Sequence, residues 1–256
     1  MERVELKDLA PKYGDFYAPA FMLKVDGRDL SREHYLVVTN VEVDLKVNGA
    51  GRFTFTFSNS FDWKTRTFVG GRGDNQIDLL TLFAFEKGID IYMGYGDSSK
   101  LALMLRGVVS EVGTSFTESA APDLTVSGYD RLSLISNGVN TRSWEGKRDS
   151  DAVKDLVKGL NLRDETREVG EVRARIDQNQ ESNLAFVERL AKRNEATFYV
   201  ERDRFYFGPS NNDRTGALTL NWGKGLLGFS PQANLSQQVK SVQVFGWSPE
   251  RGAVVK

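Results

Sequence analysis

Val41-Glu42-Val43-Asp44-Leu45-Lys46-Val47-Asn48-Gly49-Ala50-Gly51-Arg52-Phe53-Thr54-Phe55-Thr56-Phe57-Ser58 is the stretch that decides the fold. Val41, Val43, Leu45 and Val47 alternate with Glu42, Asp44 and Lys46, and after the turn Phe53, Phe55 and Phe57 alternate with Thr54, Thr56 and Ser58. A period of two puts successive side chains on opposite faces of a strand, so each arm has one apolar face for a core and one polar face. The connection Asn48-Gly49-Ala50-Gly51 is made of residues that tolerate positive φ or tight backbone, which makes the whole stretch a β-hairpin.

Outward from this hairpin, further strands are expected at Ile89–Met93, Leu101–Val109 and Leu124–Ser127, punctuated by Gly94, Gly96, Gly107 and Pro122. Several antiparallel strands with short turns imply a closed barrel or sandwich over about residues 20 to 135. The period then changes. Ala152, Val153, Leu156, Val157 and Leu160 form a helical stripe, with Ser150 as the expected N-cap and Asp151 at the positive end of the helix dipole. A second helix is expected from about Ser182, with Leu184, Phe186, Val187, Leu190 and Ala191 inward and Glu188, Arg189, Lys192 and Arg193 outward. Strands resume at Thr197–Val200, Phe205–Gly208, Leu218–Trp222 and Val239–Gly246. The fold class is therefore mainly β with a small α/β insertion. The expected domains are a first β-barrel over residues 1–140, a helix-containing α/β domain over 141–210, and the start of a second β-barrel, incomplete, over 211–256. Nine residues follow Trp247, so the last strand is expected to take its sheet partners from downstream sequence or from another protein.

Composition removes many functions. The 256 residues hold 34 Lys and Arg against 35 Asp and Glu, a net charge of -1, whereas a nucleic-acid binder normally shows a basic excess. Cysteine is absent and His34 is the single histidine, which excludes thiolate zinc sites, disulfides, Cys nucleophiles and multi-His metal clusters. His34 lies in a polar stretch that reads as an exposed loop, and no Gly-x-Ser-x-Gly elbow accompanies it. No apolar run approaches the ~18 residues of a membrane span, and the N-terminus lacks the apolar core of a signal peptide. The expectation is a protein made and kept in the cytoplasm unless a dedicated machine exports it. Gly70-Gly71-Arg72-Gly73-Asp74-Asn75 has neither the P-loop ending nor a strand-to-helix context, so it reads as a loop, and Asn211-Asn212-Asp213 lacks EF-hand spacing and reads as a turn. Glu42 and Asp44 share a strand face, as a solvated or subunit-facing strand would show. Phe198, Tyr199, Phe205 and Tyr206 fit cross-strand packing better than a sugar platform. An interaction or structural protein outranks an enzyme, and no catalytic, cofactor or metal residue is assigned.

Three stretches together resemble the baseplate hub proteins of contractile phage tails and related injection systems, the phage late control gene D and VgrG-like group. They are Ile89–Tyr95 with Leu105–Val109 and Leu124–Arg131; Gln178–Ala191 running into Phe198–Val200; and Val242–Pro249. One departure is Asn194-Glu195, where family members often carry Gly, with Asn194 expected to take the left-handed position after the helix. The oligonucleotide-fold neck, β-helical needle and lysozyme insertion of VgrG-like chains have no counterpart here. The resemblance implies tail-tube-like antiparallel β-barrels in a structural scaffold without enzymatic activity or cofactor, adapting a hexameric inner tube to a trimeric spike. It also implies a homotrimer within a tail or injection-system particle assembled in the cytoplasm. The implied partners are the tail tube protein, a spike protein or downstream spike domain and other baseplate proteins, with no nucleic acid and no membrane segment. Glu42, Asp44, Lys46, Thr54 and Thr56 are the candidate subunit or channel face. The alternative is a carbohydrate-binding or glycoside-hydrolysing tail component, which would need exposed aromatics and a carboxylate pair converging in one cleft.

Overall fold

The computed structural model describes residues 19–30, 36, 38–71, 76–96, 98–118 and 120–210, with short pieces at 219–222, 226, 228–231, 241, 246–248 and 253–255. Leu9–Arg214 form one compact unit, and Met1–Asp8 with Thr215–Lys256 form another.

The larger unit opens with β1 (Pro19–Val25), β2 (Arg28–Asp29), β3 (Val38–Asp44) and β4 (Arg52–Phe57), then β5 (Phe61–Asp62), β6 (Thr67–Gly70), β7 (Ile77–Asp78) and a short helix, α1 (Leu79–Leu82). β8 (Gly88–Tyr95), β9 (Ala102–Thr117) and β10 (Ala120–Asp130) follow. Seven of these strands make one antiparallel sheet in the order β2-β1-β8-β9-β10-β4-β3. β1 and β2 are joined through Asp26-Gly27, both at positive φ, the backbone that a two-residue hairpin loop requires. The inward faces of this sheet converge on a single core. Leu23, Val25, Ile89, Ile91, Leu105, Val109, Leu124 and Val126 meet Phe53, Phe55 and Phe57 there, with Phe83 from the end of α1 set against the Phe55 and Phe57 rings. The period-two reading of the β4 arm holds: its burial alternates residue by residue.

Two glycines set how closely β9 and β10 approach. A Cβ on Gly128 would lie 2.0 Å from the Val108 carbonyl oxygen and 2.5 Å from the Phe53 ring, and one on Gly107 would lie 2.2 Å from the Tyr129 oxygen. The register also shifts there, between Ser127 and Gly128, which is a β-bulge. The two strands are much longer than the alternation alone suggests.

The remainder of this unit is α/β. Its elements are β11 (Asn140–Lys147), α2 (Asp149–Val157), β12 (Arg163–Thr166), β13 (Arg173–Glu181), α3 (Asn183–Arg193), β14 (Ala196–Glu201) and β15 (Arg204–Pro209). β11 and β13 form a two-stranded ribbon, and β12-β15-β14 a three-stranded sheet whose β12–β15 pair is parallel. A second core joins Val153, Leu156, Phe186, Leu190, Phe198, Phe205 and Phe207, and Trp144 stacks on Phe186 at 5.2 Å.

Local chemistry differs from expectation at both helices. The structure begins α2 at Asp149, one residue before Ser150, which is buried and accepts the Val169 N–H; the Asp151 carboxylate instead accepts the Arg148 N–H at 2.9 Å. For α3, Ser182 is the N-cap and accepts from the Ala185 N–H, as expected. After α3, Glu195 rather than Asn194 takes the left-handed conformation, because the Asn194 amide is engaged with Asp149 and the Leu190 carbonyl.

In the other compact unit, β16 (Gly246–Ser248) pairs with β17 (Ala253–Val255). Residues 219–221 are not in a strand, and Trp222 makes an isolated bridge to Leu226. Val239–Phe245 apart from Ser241, together with His34, Arg72–Asn75 and Asn211–Asp213, lie outside the described residues. Among the described residues no helix is long and apolar enough to cross a membrane.

Candidate assembly face

The polar residues of the hairpin fall on the outward face of the β3-β4-β10-β9 part of the sheet. Thr54 stands opposite Ser127 with the hydroxyls 3.0 Å apart, and Thr56 opposite Thr125 at 3.3 Å. The Thr39 hydroxyl donates to the Thr56 carbonyl at 3.2 Å. Each hydroxyl both donates and accepts, so a row of them satisfies itself while leaving lone pairs outward. On β3, Glu42 lies across from Thr54 and Asp44 across from Arg52. Arg52 also reaches Glu111 on β9 at 3.3 Å and lies over the Tyr129 ring on β10. A shallow groove is lined by Glu42, Asp44, Arg52, Phe53 and Thr54.

Of the five residues singled out in the sequence, Glu42, Asp44, Thr54 and Thr56 share this face. Thr54 and Thr56 are half-buried, whereas Glu42 and Asp44 are exposed. Lys46 does not join them, because β3 stops pairing at Asp44; its methylenes lie over Gly49 in the connection to β4. That connection is tied elsewhere. Asn48, at positive φ, donates its N–H to the Phe198 carbonyl at 2.8 Å and accepts the Phe198 N–H on its side chain at 3.0 Å.

The residues of the quoted stretches act on the scaffold itself. Asp90 and Arg106 are cross-strand neighbours and form a two-pronged ion pair at 2.8 and 3.0 Å. Asp130 is 3% exposed, and its carboxylate accepts the Gly51 N–H at 2.7 Å and the Leu132 N–H at 2.9 Å, joining the start of β4 to the short helical turn after β10. Burial pushes its pKa up to about 6, against the opposing pull of those two N–H groups. Gln178 is fully buried and its amide donates to the Glu181 carbonyl and to Asn183.

Asp149 was not singled out in the sequence. It has no exposed surface and receives the Arg193 guanidinium and the Asn194 amide, with Arg173 3.8 Å away. An acid in a first helical turn is usually a solvated group, so the sequence carried no signal for this burial. The four aromatics of β14 and β15 divide between faces: Phe198 and Phe205 are buried in the core, and Tyr199 and Tyr206 stack at 5.0 Å on the opposite side. Among the described residues no group of three or more His, Cys, Asp or Glu is placed to hold a metal ion. What this surface offers chemically is hydrogen bonding and charge.

The sequence profile described as the Alg8 N-terminal domain matches residues 18–256. The fold is similar to that of the 43 kDa tail protein of prophage MuSo2 from Shewanella oneidensis, with a TM-score of 0.56 and 14% identity over 75% of this chain and 53% of that one. The tail protein from Neisseria meningitidis MC58 aligns with a TM-score of 0.49 and 14% identity over 75% of this chain and 52% of that one. The chain thus spans about half the length of both tail proteins. An 89-residue stretch is 28% identical to a glycerol-3-phosphate dehydrogenase of Levilactobacillus brevis, covering 33% of this chain and 26% of that enzyme. Dinucleotide sites sit at the carboxyl ends of parallel strands, and among the named strands the one parallel pair is β12–β15.

Proposed function

The chain belongs to the Alg8 N-terminal domain family, and we propose, from the fold it shares with a phage tail protein, that it is a structural component of a phage tail or related injection-system particle. More finely, it acts as a baseplate hub that adapts the hexameric inner tube to a trimeric spike. The observation that supports this reading is the seven-stranded sheet whose inner face closes on its own core while its outer face carries a hydroxyl ladder flanked by charge. A fold of this kind is shared with a phage tail protein. A strand of this kind can give one face to its own core and the other to a channel or a neighbour in a ring.

In this reading residues 1–140 form the first tube-like barrel, 141–210 the α/β domain and 211–256 the start of a second barrel. The chain assembles as a homotrimer, contacting the tail tube protein, the spike protein or a downstream spike domain, and other baseplate proteins. Glu42, Asp44, Thr54 and Thr56 belong to the subunit or channel face, and Lys46 to its margin. The test is to tag the chain in its native host, purify particles and locate it by cryo-electron microscopy. Three copies at the junction of tube and spike are expected. Intact particles formed in a strain lacking the chain would refute the hub role.

A further inference from the structure

The alternation that begins at Val41 runs on past the end of β3. Val41 and Val43 are half-buried, but Leu45 and Val47, next in the same apolar set, are 46% and 58% exposed. β3 is a terminal strand of the seven-stranded sheet, and no described backbone hydrogen bond beyond its β4 ladder closes on residues 38–44. An edge of this length with apolar continuation is a template for another strand. Its deterrent is charge: Glu42 and Asp44 stand two residues apart on the outer face, and neither meets a cation within ion-pair distance among the described residues. Like charges directly opposite one another disfavour a strand pair and opposite charges favour it, so this edge rejects an acidic strand and selects a basic one.

Among the described strands, β13 alone carries two basic side chains at alternate positions with no acid between them, and the residues around them alternate as Val172-Arg173-Ala174-Arg175-Ile176. Among the described strands β13 pairs with β11 alone, and Val172 is 60% exposed. Arg173 and Arg175 already have acidic neighbours, Asp149 at 3.8 Å and Asp177 at 2.7 Å, but both guanidinium side chains are well exposed. The exposed Arg175–Asp177 pair is weak and exchanges readily, and Arg173 stands outside the closer Arg193 contact that holds buried Asp149. Beyond this segment the Asp177 carbonyl is taken by Arg189, which limits docking to the start of the strand.

We propose that the β3 edge of one copy receives the Val172–Ile176 segment of a second copy, placing Arg173 and Arg175 against Glu42 and Asp44 and covering Leu45 with Val172. The two surfaces differ, so the contact is head-to-tail and builds a ring where its rotation closes. The inference rests on the reading of the chain as a ring-forming tail component.

The test is a charge swap on the full chain, read by light-scattering mass over a concentration series. Wild type is expected to self-associate. Glu42→Arg with Asp44→Arg, or Arg173→Glu with Arg175→Glu, is expected to weaken association by about ten-fold or more, and the four changes combined in one chain to restore it. Because the chain contains no cysteine, a mixture of Asp44→Cys and Arg173→Cys chains, the two positions that face each other when Val172 covers Leu45, gives a second readout, an intermolecular disulfide under mild oxidation, which does not depend on the charge variants folding well. A wild type that stays monomeric throughout, failure of the four-change variant to restore association at an unchanged melting temperature, or no cross-link would overturn the contact. Recovery of the chain in tail particles together with those results would leave the hub reading standing and remove only this interface. Charge-dependent self-association of a chain absent from particles would do the reverse.

Discussion

Replacing Phe55 by Ala removes a ring with no exposed surface that touches Phe53, Phe57 and Phe83 at centroid distances of 5.8, 5.5 and 5.5 Å. A buried aromatic ring covers roughly 200 Å², which at about 25 cal/mol per Å² corresponds to ~5 kcal/mol as an upper bound. Measured Phe→Ala changes in cores run about 3–5 kcal/mol. The expected loss is therefore about 4 kcal/mol, and for a unit of this size ~2–4 °C of Tm per kcal/mol gives a fall of roughly 8–16 °C. Urea unfolding followed by circular dichroism, with the slope m unchanged, gives the free energy, and a thermal scan gives Tm. The opposite-face control is Thr56→Val, which keeps the strand shape and removes one hydroxyl contact with Thr125; about 1 kcal/mol or less is expected. A Phe55→Ala loss below about 1 kcal/mol, or a larger effect at Thr56 than at Phe55, would show that the two faces of β4 have been assigned the wrong way round.

Removing Arg193 leaves Asp149 buried without its main cation, so Arg193→Met should lose about 3–5 kcal/mol by denaturant titration, and Arg193→Met with Asp149→Leu should lose much less; equal losses would mean that the pair is not coupled. Asp130 holds its proton to about pH 6 in the folded chain but releases it near 3.8 when unfolded, so its contribution to stability is full below about pH 4 and falls as pH rises to about 6, a change on the order of 3 kcal/mol. Asp130→Asn should remove that component of the pH profile, and identical wild-type and variant slopes between pH 4 and 6 would contradict the assignment. Gly128→Ala forces a Cβ against the Val108 oxygen and the Phe53 ring, and should lose about 1–3 kcal/mol, whereas Gly159→Ala, with open space around it, should not; the pair is compared by thermal melting.

Much of the scaffold is legible in the sequence because period is a local property. The Phe53, Phe55, Phe57 alternation names the core face of β4, the helical stripe of α3 names its buried side, and Ser182 marks where that helix starts. Gly107, Gly128 and Asp130 lie in stretches that carry the family resemblance, but the sequence does not say why they are needed. Their reasons lie in strands that come together from far along the chain: the Tyr129 and Val108 carbonyls, and the Gly51 N–H 79 positions away.

Three features belonged to the tertiary structure alone. β12 reads as Arg163-Asp164-Glu165-Thr166, which has no apolar signal, and it is a strand because β15 supplies a parallel ladder for it. β3 ends at Asp44 although its pattern continues to Val47, because β4 pairing stops there and Asn48 is held by Phe198. Asp149 is buried because Arg193, 44 residues later, closes over it. Sequence alternation determines which way a side chain points from its own strand or helix. Which strand lies alongside, and whether a charge there is solvated or enclosed, depends on surfaces brought together from distant parts of the chain, so only the folded molecule decides it.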